Sequence, residues 1–147
     1  MRAQADRISD HTGYRLVKVG HVAAAAFDEA LAPLGMRPRH VMVLEAIRGG
    51  TLSQQDLCQL TGMDRTTMVA VVDELERLGY AHRERSAADR RKHVVKPTAA
   101  GESAFEEAAR ALLAAEEALL GPLSAAERDS LGGLVAKLFE AAARRPG

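Results

Sequence analysis

Two small groups of residues in this 147-residue chain have types and spacing suited to chemistry on a polyanion. Arg65, Thr66 and Thr67 directly follow Asp64 and open an amphipathic stretch; Arg90, Arg91 and Lys92 crowd a short loop between two strand-like segments. Arginine at the start of a helix can pair with a guanine edge in bidentate fashion, and threonine can bond a base edge or touch a thymine methyl. Adjacent arginines at a loop tip repel one another unless an anion meets them, and an arginine finger suits a narrow minor groove, where the potential is most negative. Asp89, two residues before Arg91, is placed to aim that guanidinium.

These groups need a scaffold, and the sequence supplies one between Leu52 and Gly101. Ser53-Gln-Gln-Asp56 reads as a capping box for a short helix that buries Leu57 and Leu60. Gly62 supplies a turn with positive φ. Asp64 caps a second helix to about Leu78, with Met68, Val71, Val72, Leu75 and Leu78 inward and Arg65, Thr66, Val69, Ala70 and Asp73 outward. Gly79 stands at its C-terminal cap. Tyr80 to Arg85 and Lys92 to Lys96 then read as a two-stranded hairpin that Pro97 ends. A helix-turn-helix followed at once by a basic hairpin is the layout of a DNA-reading module with a wing. Its expected DNA contacts are Ser53, Gln54, Arg65, Thr66, Thr67, Val69, Arg83, Asp89, Arg90, Arg91 and Lys92.

Long helices flank this module. One runs from about His11 to Leu34, with Leu16, Val19, Ala23, Phe27 and Leu31 on one stripe; a shorter one from Pro38 to Ile47 turns Val41, Leu44 and Ile47 inward. After the hairpin, Thr98 caps a helix marked by Phe105, Ala108, Ala109, Leu112, Leu113, Leu119 and Leu120. Gly121-Pro122 breaks it, and Ser124-Ala-Ala-Glu127 caps a last helix with Leu131, Leu134, Val135, Leu138 and Phe139. The expected fold class is mainly α (α+β), a single domain over residues 1–147. Residues 38–97 form the winged helix-turn-helix, and residues 11–34 and 99–145 form dimerisation helices. The flanking stripes exceed what a winged core of about 50 residues covers, and bare stripes of that length are an aggregation hazard. A two-fold homodimer would cover them.

Bulk composition is ordinary: 47% apolar, 27% charged and a formal net charge of zero. Charge is segregated locally. His82–Lys96 holds six Lys/Arg against two acids, a net of +4, and Glu102–Leu120 holds five Glu against one Arg, a net of −4. One cysteine, Cys58, excludes a disulfide framework within the chain. No apolar run nears the roughly 18 residues of a membrane span, and Met1–Asp10 lacks a signal-peptide core, so a cytoplasmic protein with no membrane partner is expected.

The residues resemble the MarR family of winged-helix transcriptional regulators over nearly the whole chain. Asp89-Arg-Arg91 followed by Thr98-Ala-Ala-Gly101 is similar to that family's wing signature and the opening of its next helix. Leu57, Leu60, Asp64, Thr67, Val72, Asp73, Leu75, Leu78 and Gly79 fall where its helix-turn-helix carries similar residues. Asp28 to Leu44 resembles its first helix junction. The resemblance implies an obligate homodimer on a near-palindromic site in double-stranded DNA, with Arg91 in the minor groove and the Asp64 helix in the major groove. It implies a repressor released by a small molecule, often a phenolic or aromatic acid, bound between the dimer helices and the winged part. His11, Arg15 and His40 are the polar residues near that place, and Arg15 could pair with a carboxylate. Three departures stand out: Pro97 replaces the usual Leu, and Ala70 and Glu74 stand where many members carry arginine.

Other chemistries find little. There is no Gly-rich phosphate loop, no His-Glu-x-x-His and no Cys-x-x-Cys, so no enzyme, cofactor or metal is expected. His82 and His93 could face each other across the hairpin, but a zinc site needs more ligands. A redox-responsive regulator acting through Cys58 is the alternative reading. It requires an exposed thiolate beside positive charge, whereas the nearest charged residue is Asp56 and a packing role suits the position better. A winged helix turned to protein or RNA is the remaining rival, which the arginine tip disfavours.

Overall fold

The computed structural model describes residues 7–145; residues 1–6, on which most of the reading of the N-terminus rests, and 146–147 lie outside the described residues. Among the described residues six α-helices and three strands follow in the order α1 (Thr12–Leu31), α2 (Pro38–Arg48), β1 (Leu52–Ser53), α3 (Gln54–Thr61), α4 (Arg65–Arg77), β2 (Ala81–Arg85), β3 (His93–Pro97), α5 (Ala99–Leu119) and α6 (Ala125–Ala143). Among the described residues no helix is long and apolar enough to cross a membrane.

Local rules account for the helix ends. The Ser53 Oγ accepts the Asp56 N–H at 3.1 Å while the Asp56 carboxylate accepts the Ser53 N–H at 2.9 Å, closing the expected capping box on α3. Ser124 and Glu127 do the same for α6. Asp64 and Thr98 cap α4 and α5. Gly62 (φ +75°) turns the chain between α3 and α4, and Gly79 (φ +78°) turns it from α4 into β2.

The core lies where α2, α3, α4, β3 and α5 converge, with Leu31, Leu44, Leu57, Met68, Val71, Val72, Leu75, Val95 and Ala108 wholly removed from solvent. One expectation, on Leu60, needs correction. The two-stranded wing forms from β2 and β3, and a third strand joins it: β1 pairs with β3 through Leu52↔Val95 and Ser53↔Val94, giving the antiparallel order β1-β3-β2. Two residues are too few to show an alternating pattern. Leu60 is 65% exposed and not buried. The inner face of α3 is centred between Leu57, Cys58 and Thr61, and at 3.6 residues per turn Leu60 falls roughly a third of a turn away from that centre. The hairpin register also parts the two histidines, since His82 faces Lys96 and His93 faces Arg85. Among the described residues no group of three His, Cys, Asp or Glu side chains is placed to hold a metal ion.

Pro97 does not disturb the hairpin. It pairs with Ala81 as the last residue of β3, and Thr98 then bonds back twice, its N–H to the Tyr80 carbonyl (3.0 Å) and its Oγ1 to the Gly79 carbonyl (2.6 Å). The same Oγ1 accepts the Gly101 N–H at 3.0 Å. Gly101 is buried against this corner, where a Cβ would stand 1.9 Å from the Tyr80 carbonyl oxygen. Gly101→Ala is therefore expected to cost about 1–3 kcal/mol, read as an earlier urea midpoint at fixed protein concentration. An unchanged midpoint would show that α5 shifts freely against the hairpin.

Candidate nucleic-acid interface

The outward side of α4 begins with Arg65 and Thr66, both exposed, and continues through the exposed Ala70. Thr67 and Val69 are half-buried. The Thr67 N–H donates to the Asp64 carboxylate at 2.7 Å, and this bond holds the Asp64 carboxyl below its ordinary value. The cap thus keeps an anion on the first turn, where the helix dipole favours it, and leaves Arg65 and Thr66 unobstructed.

The wing tip is built by its own backbone bonds. Ser86 Oγ accepts the Ala88 and Asp89 N–H groups at 3.3 Å each, Lys92 N–H donates to the Asp89 carbonyl at 3.0 Å, and the Ser86 N–H donates to the Lys92 carbonyl at 2.9 Å. Asp89 was expected to aim the Arg91 guanidinium; instead its carboxylate accepts the Arg91 backbone N–H at 3.0 Å. The acid shapes the turn and leaves the side chain unclaimed. Among the described residues, Arg65, Arg90, Arg91 and Lys92 have no acidic partner within ion-pair distance. One acid of the hairpin is paired within the fold: Glu84 lies between His82 (2.7 Å) and Lys96 (3.1 Å), whose bonds hold its carboxyl below the ordinary range.

Three expected contacts have other tasks here. Arg83 is gripped from three sides: its Nε donates to Gln54 Oε1 (2.7 Å), one terminal nitrogen meets Asp73 (2.8 Å) and the other Glu76 (3.0 Å). Its side chain is only 23% exposed. Gln54 is thereby occupied too, and Ser53 is buried as the α3 cap. Sequence patterning showed these residues on the right elements but not that they would find one another across a gap of 29 positions.

The expected effector residues are not brought together. Exposed Arg15 pairs with Asp10 at 3.2 Å and with the Ser9 carbonyl, and His11 is the exposed N-cap of α1. His40 is buried between α2 and α4. Its Nδ1 accepts the Arg37 N–H at 2.8 Å, so the neutral ring carries its proton on Nε2 and donates to Glu74. That bond, aided by Arg39 and Arg77, holds the Glu74 carboxyl below its ordinary range. None of the three lines the cavity of about 390 Å³ that opens between α1, α2 and α5. Its walls are Phe27, Pro38, Val41, Met42, Phe105, Ala109, Leu112 and Leu113, with Glu45 and Glu116 as the polar members. By spacing Phe27 and Phe105 belong to packing stripes; only the angle between helices turns them into a lining. Cys58 is half-buried against the core.

A family model described as MarR family matches residues 34–92, from the start of the core to the wing tip. A putative transcriptional regulatory protein for the hcr operon of Thauera aromatica is 31% identical over 113 residues, which cover 76% of this chain and 68% of that protein. The chain belongs to the MarR family. Members are winged-helix transcriptional regulators that bind DNA. The transcriptional repressor CouR, solved on a 23-mer DNA duplex, superposes with a TM-score of 0.81 at 26% identity, covering 94% of this chain and 99% of that one. BpsR of Bordetella bronchiseptica, whose DNA binding is regulated by 6-hydroxynicotinic acid, superposes with a TM-score of 0.76 at 26% identity, covering 90% and 95%.

For this MarR-family chain, contact and clamp are separable by salt. Arg91→Ala is expected to weaken binding to duplex DNA and to flatten the salt dependence by about one unit per lost phosphate contact. Arg83→Met is expected to weaken binding by about tenfold, because a bond to Gln54 and two solvent-screened ion pairs of roughly 0.2–1 kcal/mol each hold the hairpin, yet to leave the salt slope unchanged. A flattened slope for Arg83→Met would return that residue to the DNA surface.

Proposed function

We propose that the protein is a homodimeric repressor that binds a near-palindromic operator in the cytoplasm and is released from it by a small aromatic ligand. The observation that carries the DNA part is the set of cations without internal partners on the two elements that a winged helix presents to a duplex: Arg65 at the start of α4, and Arg90, Arg91 and Lys92 on the wing. In this reading Arg65 and Thr66 meet base edges, Thr67 and Val69 flank them, and Arg91 enters the minor groove. Ala70 offers only a small apolar contact, and Glu74 is turned inward to His40.

Bare apolar faces support the dimer. Among the described residues α6 buries no side chain, and its Leu134, Leu138 and Phe139 are 61%, 57% and 74% exposed. A groove between α1 and α5, lined by Val22, Ala26, Ala30, Ala111, Ala115 and Leu119, is floored by small side chains that would let another helix approach closely. Stripe and groove on one chain are complementary, as a two-fold interface requires.

The cavity between α1, α2 and α5 supports ligand control. The α2 face bearing Pro38, Val41, Met42 and Glu45 lines it, while His40 on another face of the same helix is bonded to Glu74 of α4. A ligand that displaces α2 would move the DNA-reading helix through that bond. The family resemblance suggests a phenolic or aromatic acid; Phe27 and Phe105 support the aromatic part. A redox route through Cys58 has less support, because the side chain is half-buried and is the only cysteine in the chain.

Selection from random duplex DNA is expected to enrich an inverted repeat with half-sites about one helical turn (roughly 34 Å) apart. Enrichment without two-fold symmetry would overturn the dimeric reading. Leu138→Asp is expected to halve the mass seen by light scattering and to weaken operator binding by about 10²-fold or more, as linkage of two half-sites is lost. A dimer that persists would move the interface elsewhere.

A further inference from the structure

The cavity between α1, α2 and α5 has a charge that its aromatic lining alone does not disclose. Its two ionisable members, Glu45 on α2 and Glu116 on α5, are both acidic. Neither has a cationic partner among the described residues. Of the cations on the neighbouring turns, exposed Arg37 and Arg110 have no acidic partner among the described residues but do not line the cavity, and two others are committed. Arg48 lies 4.1 Å from the centroid of the Phe105 ring and binds Glu102 at 2.5 Å, and Arg39 faces Glu74 on the other side of α2. The expected carboxylate partner, Arg15, is tied to Asp10 and lies outside the lining. The remaining walls, Phe27, Phe105, Met42 and Leu113, are apolar, and an aromatic face attracts a cation through its quadrupole. A bound carboxylate would meet the two like charges of Glu45 and Glu116; an ammonium would meet two acceptors and the Phe27 ring, the Phe105 ring being already covered by Arg48.

We propose that this cavity takes an aromatic or otherwise hydrophobic amine, with Glu45 and Glu116 as its charge-selecting residues. The proposal rests on the reading of the cavity as the effector site and changes the ligand class from organic acid to organic cation. A volume of about 390 Å³ suits a ring system with a short ammonium arm.

Three near-isosteric probes test it on the full-length protein at pH 7.5: 1-naphthylmethylamine, 1-naphthylmethanol and 1-naphthoate. The chain has no tryptophan, so naphthalene fluorescence reports binding with little background from the protein. The amine is expected to bind about tenfold tighter than the alcohol, with the carboxylate weakest, and Glu45→Gln/Glu116→Gln is expected to erase that ranking. Equal binding of amine and alcohol, or preference for 1-naphthoate, overturns the proposal while keeping the cavity as a ligand site. Saturable binding by none of the three removes the cavity reading and the proposal with it. Should the double variant fail to fold, the ranking on the unaltered protein decides alone.

Discussion

The Arg83 guanidinium joins the parts on which DNA reading depends. A winged helix works only if the DNA-reading helix and the wing keep a fixed angle, and the turn at Gly79 does not impose one. Arg83 on β2 supplies the constraint by holding Gln54 at the start of α3 and Asp73 and Glu76 on α4. One planar group with five fixed donors on three nitrogens reaches three separated partners at set angles, whereas a lysine offers its three donors from a single nitrogen. The same bonds pair the Asp73 and Glu76 carboxylates of α4 with a cation, so one residue sets geometry and offsets negative charge on that helix.

Charge is handled in the same way throughout the winged part. Glu84 is held by His82 and Lys96, Glu74 by His40 and Arg39, and the Asp56 carboxylate by the Ser53 backbone N–H. What is left over at the tip is Arg90, Arg91 and Lys92 against the single carboxylate of Asp89, a net positive charge. Net charge is zero for the chain as a whole, so the field near the DNA-facing side comes from which charges are paired, not from how many there are.

The α2 helix links two regions that the chain order keeps apart. One face closes on the apolar cavity against α1 and α5; another passes a hydrogen bond from buried His40 to Glu74 on α4. The ring can do this in one tautomer only, because Arg37 already donates to Nδ1. A buried polar link of this kind has few alternative partners, which fixes α2 against α4.

Local signals determined much of this protein. Ser53, Asp64, Thr98 and Ser124 announced four helix starts, and glycines 62 and 79 announced two turns, because caps and positive φ depend on a few adjacent residues. The apolar spacing of α4 showed its inward face, and Arg90–Lys92 marked the wing tip. Tertiary structure decided the rest. Strand β1 is too short to carry a pattern, and Leu60 faces out because its neighbours, not its own type, set the buried side of α3. Ser53, Gln54 and Arg83 became internal partners, and His40 became a buried link, through contacts between residues far apart in sequence. The cavity's acidic character arose in the same manner, since Glu45 and Glu116 share a wall only once α2 packs on α5. Periodicity tells which side of a helix is apolar; which polar groups meet across helices depends on packing angles that no single segment encodes.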